Sequence, residues 1–324
     1  MSNTLSNISR PIKDELVQFN EIFRNSLKSK VPLVDLITRY IMKQKGKRIR
    51  PLLVMLSGKI NGEIGERTHR GAVLVEMLHT ATLVHDDVVD NSDKRRGFPS
   101  INAIWKNKIA VLMGDYLLSR GLMIAVEGGD FDFLRIITQT VKRMSEGELL
   151  QIQKTRKLDI DETTYFKIIS DKTASLIGTC CELGCASTTD NAKQILAMRS
   201  YGENLGLAFQ IRDDILDFEG VPKLFGKPIG ADIKDKKMTL PLIHALNRVE
   251  KSETGRIKKL IKGEKKENIE KVIDFVKANG GLEYAKEKAR QIGDKAKAEL
   301  AIFSDSSAKE SLINLVDFVL ERNL

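Results

Sequence analysis

Ile12, Leu16, Phe19, Phe23 and Leu27 recur at steps of three and four, the spacing that gathers apolar side chains on one face of an α-helix. Pro11 stands at the entry to that helix, where proline's missing N–H costs nothing. Pro32 opens a second helix ending near Gly46. Pro51 opens a third, mostly apolar, that breaks at the polar stretch Asn61 to Gly65. A fourth is predicted from about Glu66 to Asp90, its second half apolar enough to be buried. Asn91 to Ser100, holding Gly97 and Pro99, reads as a loop. Further helices are predicted from about Asn102, Phe131, Glu162, Asn191 and Leu240 onward. Gly220 to Gly230, with Pro222, Gly226 and Pro228, reads as a second loop. The chain shows no alternating strand of convincing length, no Gly-x-Gly-x-x-Gly after a strand, no P-loop and no solenoid repeat. The pattern predicts an all-α fold in one domain.

Composition agrees. Of 324 residues, 42% are hydrophobic, 30% are charged and 7 are proline, which suits a helical protein with a sizeable core and a wetted surface. The net charge of +9 suits an anionic partner. Its densest stretch, Lys251 to Lys271, is interrupted by Glu253, Glu264, Glu267 and Glu270 and reads as a solvated helical face rather than a nucleic-acid tract. Cys180, Cys181 and Cys185 include no Cys-x-x-Cys pair. Their odd number and close spacing argue against a disulfide framework, for a reducing compartment and for three small residues packed inside a helix. Residues 1–10 lack the apolar core of a signal peptide, and no apolar run approaches the length of a membrane span, so a cytoplasmic location is expected.

Two segments carry candidate chemistry. His85-Asp86-Asp87-Val88-Val89-Asp90 and Arg212-Asp213-Asp214-Ile215-Leu216-Asp217 each contain Asp-Asp-x-x-Asp at the end of an apolar run. On a helix, residues four apart share a face, so Asp86 lies with Asp90 and Asp213 with Asp217, at a repulsive cost of a few tenths of a kcal/mol per exposed pair. One such cluster is as readily a solvated acidic helix end. Two, each led in by hydrophobic residues, call for a compensating cation, and carboxylates without Cys or His suit magnesium before calcium or zinc. Lys47 and Arg50, Arg95 and Arg96, Lys172, Lys227 and Lys237 supply cations for phosphate, although each taken alone is an ordinary surface residue.

In this order and combination the motifs resemble those of the trans-polyprenyl diphosphate synthases over nearly the whole chain. They are Gly-Lys-Arg-Ile-Arg-Pro at 46–51, Leu78 to Asp90, Arg95-Arg96-Gly97, Gly114-Asp115-Tyr116-Leu117-Leu118, Lys172-Thr173, Phe209 to Asp214, and Gly226-Lys227-Pro228-Ile229-Gly230 followed by Asp232. Lys45 and Lys236 depart from the family, which often has glycine there. The resemblance implies one domain over 1–324, a helical bundle around a deep central cavity with the two clusters facing across its mouth, and a homodimer.

It also implies roles. An allylic diphosphate ionises, isopentenyl diphosphate attacks the allylic cation, and the departed diphosphate takes the proton. Asp86, Asp90, Asp213 and Asp217 would hold Mg2+ on the allylic diphosphate, with Asp87 and Asp214 behind them. Arg95, Lys172 and Lys237 would bind that diphosphate, assisted by Lys227. Lys47, Arg50, His79 and Arg96 would hold isopentenyl diphosphate without metal; His79 on its own would read as a core histidine. Thr173 and Gln210 either face the carbocation or make an ordinary helix–helix hydrogen bond.

The product tail is expected to grow beside the helix of the first cluster. Ala81 is small and Thr82 modest where short-chain members often carry Phe or Tyr, and Met77, Leu78 and Leu74 stand deeper as a floor. At about one isoprene unit per helical turn of about 5.4 Å, the expectation is a long product of about seven or eight units from a farnesyl diphosphate primer, made for a quinone side chain, with a transient membrane contact for its release. The alternatives are a geranylgeranyl or farnesyl diphosphate synthase, a non-catalytic subunit of a heteromeric synthase, and a terpene cyclase, which would lack the isopentenyl diphosphate site. A nucleic-acid binder is the weakest alternative, lacking any recognisable motif or aromatic stacking platform.

Overall fold

The computed structural model describes residues 5–44, 46, 48–95, 97–155, 158–219, 229–263 and 266–321. The elements are helices α1 (Leu5–Ile8), α2 (Lys13–Ser26), α3 (Pro32–Lys43), α4 (Ile49–Lys59), α5 (Glu66–Val89), α6 (Ile101–Glu127), α7 (Phe131–Thr155), α8 (Glu162–Ile169), α9 (Ser175–Ala186), α10 (Ala192–Glu219), α11 (Ala231–Lys234), α12 (Leu240–Asn247), α13 (Lys251–Lys262), α14 (Lys266–Ala278), α15 (Gly281–Glu299) and α16 (Ser307–Leu320). A two-residue antiparallel hairpin pairs Lys94 with Pro99 and Arg95 with Phe98 inside the predicted loop 91–100.

Local chemistry sets the boundaries. Asp161, Ser306 and Ser100 cap α8, α16 and α6 with side-chain oxygens that accept from Thr164, Lys309 and Ala103 N–H groups, and each such cap is worth about 1 kcal/mol. Proline marks the first turn of α3 and α12. Helix α4 begins two residues before Pro51, because proline's missing N–H is tolerated anywhere among the first unpaired donors of a helix. Between α8 and α9 the backbone runs through a π-helical turn, Ser170–Ala174.

The apolar face predicted for 12–27 is real: Ile12, Phe19, Phe23 and Leu27 are buried, joining residues of α4–α7, α9 and α16 in one core. A second core unites α8 and α12–α15 with the C-terminal half of α10. Helix α10 serves both, through Met198, Tyr201 and Leu205 in the first and Ala208, Ile211, Ile215 and Phe218 in the second. It thereby seats the second Asp cluster, at its C-terminal end, on the second core. Each fully buried Leu, Ile or Phe contributes roughly 1.5–3 kcal/mol. Cys180, Cys181 and Cys185 are free thiols buried in α9. Helix α9 crosses α4 so closely that a side chain on Gly184 would stand 2.2 Å from the Val54 carbonyl oxygen.

One expectation is corrected. Helix α6 has an 18-residue window of mean hydropathy 1.6, long and apolar enough by length and composition to cross a membrane. Between Lys108 and Glu127 it carries charges at Asp115 and Arg120 alone, and the nearby lysines obscured that run. Its buried face, including Ala110, Met113, Gly114, Leu117 and Gly121, packs against α5. Val111, Leu112, Met123 and Val126 stand exposed on the other side.

Candidate active site

Helix α5 ends by presenting Asp86, Asp87 and Asp90 at one lip of a cleft, with Asp90 as its C-cap. Asp86 and Asp90 are exposed and Asp87 is buried. Asp87 accepts from Arg95, whose Nε and Nη2 both lie 2.7 Å from its Oδ1. Crowding at the lip raises the Asp86 pKa. Partial burial contributes most, Glu148 and Asp90 push the same way, and Lys172 and Arg95 oppose them. An acidic site in that condition gains from a cation.

On α10, Asp213 is partly exposed, whereas Asp214 and Asp217 are buried. The Asp217 Oδ2 accepts the Asp232 N–H at 3.1 Å, tying the cluster to the start of α11. Asp214 accepts from the Tyr165 hydroxyl at 2.7 Å and from Gln210 Nε2 at 2.9 Å. Burial, with Asp232 adding to it, pushes the Asp214 carboxyl up to about 8 despite these two bonds. Thr173 Oγ1 donates to Gln210 Oε1 at 3.2 Å, which links Thr173 through Gln210 to Asp214.

Three cavities join these groups. One of about 820 Å³ is lined by Asp90, Glu148, Gln151, Lys234, Asp235 and Lys237. A second, of about 220 Å³, shares Gln151, Thr155 and Lys237 with it and adds Lys172, Thr173, Gln210, Asp214, Asp232 and Tyr165. The lip carrying Asp90 therefore adjoins the chamber holding the second cluster's Asp214. Lys172 reaches Glu148 and Gln151 Oε1, the latter at 3.3 Å. Lys237 lies 3.4 Å from Asp232 and 3.5 Å from Asp235. Burial depresses the Lys237 pKa, but those two carboxylates outweigh it and hold the amine above its usual value. The third cavity, about 60 Å³, is lined by Arg48, Glu76, His79, Thr80, Asp87 and Arg95.

The predicted residues thus divide differently from expectation. Arg95 lines the His79 cavity, not the chamber of Lys172 and Lys237. Arg50 is half-buried in the first turn of α4; it is Arg48, in a left-handed conformation at φ 48°, that lines the His79 cavity. Lys47, Arg96 and Lys227 lie outside the described residues, as does most of the loop from Gly220. Ala81, Met77 and Leu78 are buried in the first core. Thr82 is half-buried and donates to the His79 carbonyl at 2.9 Å. None of these four lines the three cavities. Sequence reasoning missed Arg48, Tyr165, Asp235 and the pair Glu148 and Gln151. The last two were open to discovery, since three residues apart on α7 they share a face.

Among the described residues, no group of three or more His, Cys, Asp and Glu side chains could hold a metal ion by itself. Magnesium does not require one: it keeps waters and takes a few carboxylates plus substrate phosphate oxygens, and the all-carboxylate donor set fits that habit.

Residues 31–278 match the family model described as Polyprenyl synthetase. The chain is 33% identical over 320 residues to the octaprenyl diphosphate synthase of Escherichia coli (strain K12), covering 98% of this chain and 99% of that one. It is 34% identical over 316 residues to the all-trans-nonaprenyl-diphosphate synthase (geranyl-diphosphate specific) of Rhodobacter capsulatus, covering 97% of each. The crystal structure of a polyprenyl synthase from Caulobacter crescentus CB15, complexed with calcium and isoprenyl diphosphate, superposes with a TM-score of 0.91 at 32% identity, covering 100% of this chain and 99% of that one. The chain belongs to the polyprenyl synthetase family. It is accordingly a trans-prenyltransferase of isoprenoid biosynthesis with the all-α isoprenoid synthase fold, in a family of divalent-metal-dependent prenyl synthases.

Proposed function

We propose that this enzyme extends farnesyl diphosphate with successive isopentenyl diphosphates to a product of about seven or eight isoprene units, if each unit spans about one helical turn, for use as a quinone side chain. The observation that carries the reading is that the cavity lined by Asp90 and Lys237 adjoins the chamber lined by Asp214, Lys172 and Lys237. The octaprenyl and nonaprenyl names of the relatives support a long product, as do the small Ala81 and modest Thr82 one turn before Asp86.

In this reading Asp86, Asp90, Asp213 and Asp217 hold Mg2+, which when bound neutralises the leaving diphosphate. Lys172 and Lys237 orient the allylic diphosphate, and Lys227 assists from the loop. Arg95 reaches that diphosphate by exchanging its bond to Asp87. Lys47, Arg48, Arg50, His79 and Arg96 hold isopentenyl diphosphate, arginine's fork suiting phosphate oxygens. Thr173 and Gln210 turn oxygen lone pairs toward the allylic cation, while the chamber walls Ile168 and Ile169 keep water from it. Residues 1–324 act as one domain, as a cytoplasmic homodimer. The exposed apolar side chains of α6, Val111, Leu112, Met123 and Val126, are the surface a second copy covers, and release of the product involves a transient membrane contact.

Incubation with farnesyl diphosphate, isopentenyl diphosphate and magnesium, followed by chromatography of the products, tests the reading. A ladder ending near seven or eight units is expected. Products ending at geranylgeranyl length would favour the short-chain alternative, and no incorporation would favour a non-catalytic subunit.

A further inference from the structure

Lys172 and Thr173 sit not on a regular helix but on the π-helical turn Ser170–Ala174. One extra residue in a helical turn rotates everything after it relative to everything before it, and such turns persist only where surroundings hold them. Here one side chain bonds both of the turn's first two residues. Arg143, on α7, donates Nε to Asp171 Oδ1 at 3.0 Å, Nη2 to Ser170 Oγ at 3.1 Å and Nη1 to Glu203 Oε1 of α10 at 2.6 Å. The planar guanidinium thereby fixes the first two residues of the turn to the helices on either side. Asp171 is buried, and its Oδ2 takes Lys167 Nζ at 3.0 Å. Gly147, one turn after Arg143, lets the π-turn approach: a Cβ there would stand 2.9 Å from Asp171 Cβ and 3.0 Å from the Lys172 backbone nitrogen. In the same turn, Lys172 meets Glu148 and Gln151, also on α7, and Thr173 meets Gln210 of α10.

We infer that Arg143 is a positioning residue for the prenyl transfer: by anchoring Asp171 and Ser170 it sets the turn that aims Lys172 and Thr173 into the chamber. Arg143 lines neither of the cavities that hold Lys172 and Lys237. The inference rests on the proposed role of Lys172 in binding the allylic diphosphate, and the experiment separates the two.

Steady-state kinetics are compared for the parent enzyme, Arg143→Gln, Arg143→Lys, Lys172→Ala and the double variant R143Q/K172A, with melting temperatures recorded for each. Arg143→Gln should lower kcat/KM for the allylic diphosphate about tenfold or more, the scale on which small misplacements act, and leave the KM for isopentenyl diphosphate near that of the parent. Arg143→Lys keeps the charge without the fork and should fall between them. If Arg143 works through Lys172, the double variant is no slower than Lys172→Ala alone. Should Arg143→Gln fail to fold, Arg143→Lys and its double variant with K172A carry the same comparison. Losses that multiply in the double variant, or parent-like kinetics for the Arg143 variants beside a crippled Lys172→Ala, overturn the inference. A fully active Lys172→Ala overturns the reading of Lys172 itself, and the inference with it.

Discussion

Lys236 illustrates how a single backbone angle explains a sequence oddity. It stands where the resembled family often has glycine, and its φ is +58°, a region costly to any residue with a Cβ by roughly 1–2 kcal/mol. Lys236→Gly should therefore raise stability by up to about 1 kcal/mol, read as a higher urea midpoint. A lower midpoint would show that its side-chain contacts outweigh the strain. The cysteines give a second residue-scale expectation. Burial pushes the Cys181 thiol up to about 12 and does the same for Cys185, each from an ordinary 9.0. A raised thiol pKa means less thiolate at any given pH, so iodoacetamide at pH near 8 should leave the native protein unlabelled and label all three cysteines once it is unfolded. The linked stability is intact below about 9 and declines as pH climbs toward about 12, because the unfolded thiols ionise first. Mass spectrometry and alkaline melting curves check both statements.

Among the elements, α4 and α9 cross closely. Gly184→Ala would drive a methyl group into the Val54 carbonyl, and the backbone shift should cost about 1–3 kcal/mol, measured as a fall in melting temperature with little change in KM for either diphosphate. Most of these elements were legible in the sequence because the chain punctuates itself. Pro32, the loop signals Gly97 and Pro99 and the three–four spacing of 12–27 are local signals that tertiary packing did not override. The two Asp clusters were legible for the same reason, each being a compact motif at a helix end. Other features were not. The π-turn 170–174 has no composition of its own, and the Arg143 side chain that bonds Ser170 and Asp171 lies 27 residues and more away in sequence. That Arg95 shares a cavity with His79 depends on how a short hairpin folds back. The burial of Asp217 depends on α11 arriving from beyond the loop. Helix α6 was predicted from about Asn102, but flanking charges concealed its apolar window.

For the molecule as a whole, the proposed partner surface and product length are both testable. The parent protein should run in light scattering at about twice its 36.4 kDa, and Leu112→Glu combined with Met123→Glu should halve that mass, since charges are poorly tolerated at the core of an obligate interface. Two charged side chains that leave the mass unchanged would place the interface elsewhere. Ala81→Phe fills space beside the helix of the first cluster and should shorten the product to roughly geranylgeranyl length; an unaltered ladder would refute the floor at 77–82.

Whether opposed carboxylates drive ionisation is decided by isopentenyl incorporation measured on folded Asp86→Ala and Asp213→Ala enzymes at saturating substrates and magnesium. The account predicts that each loses at least about a hundredfold in rate, the scale of removing one preorganised stabiliser of transition-state charge. Parent-like turnover in both would contradict it.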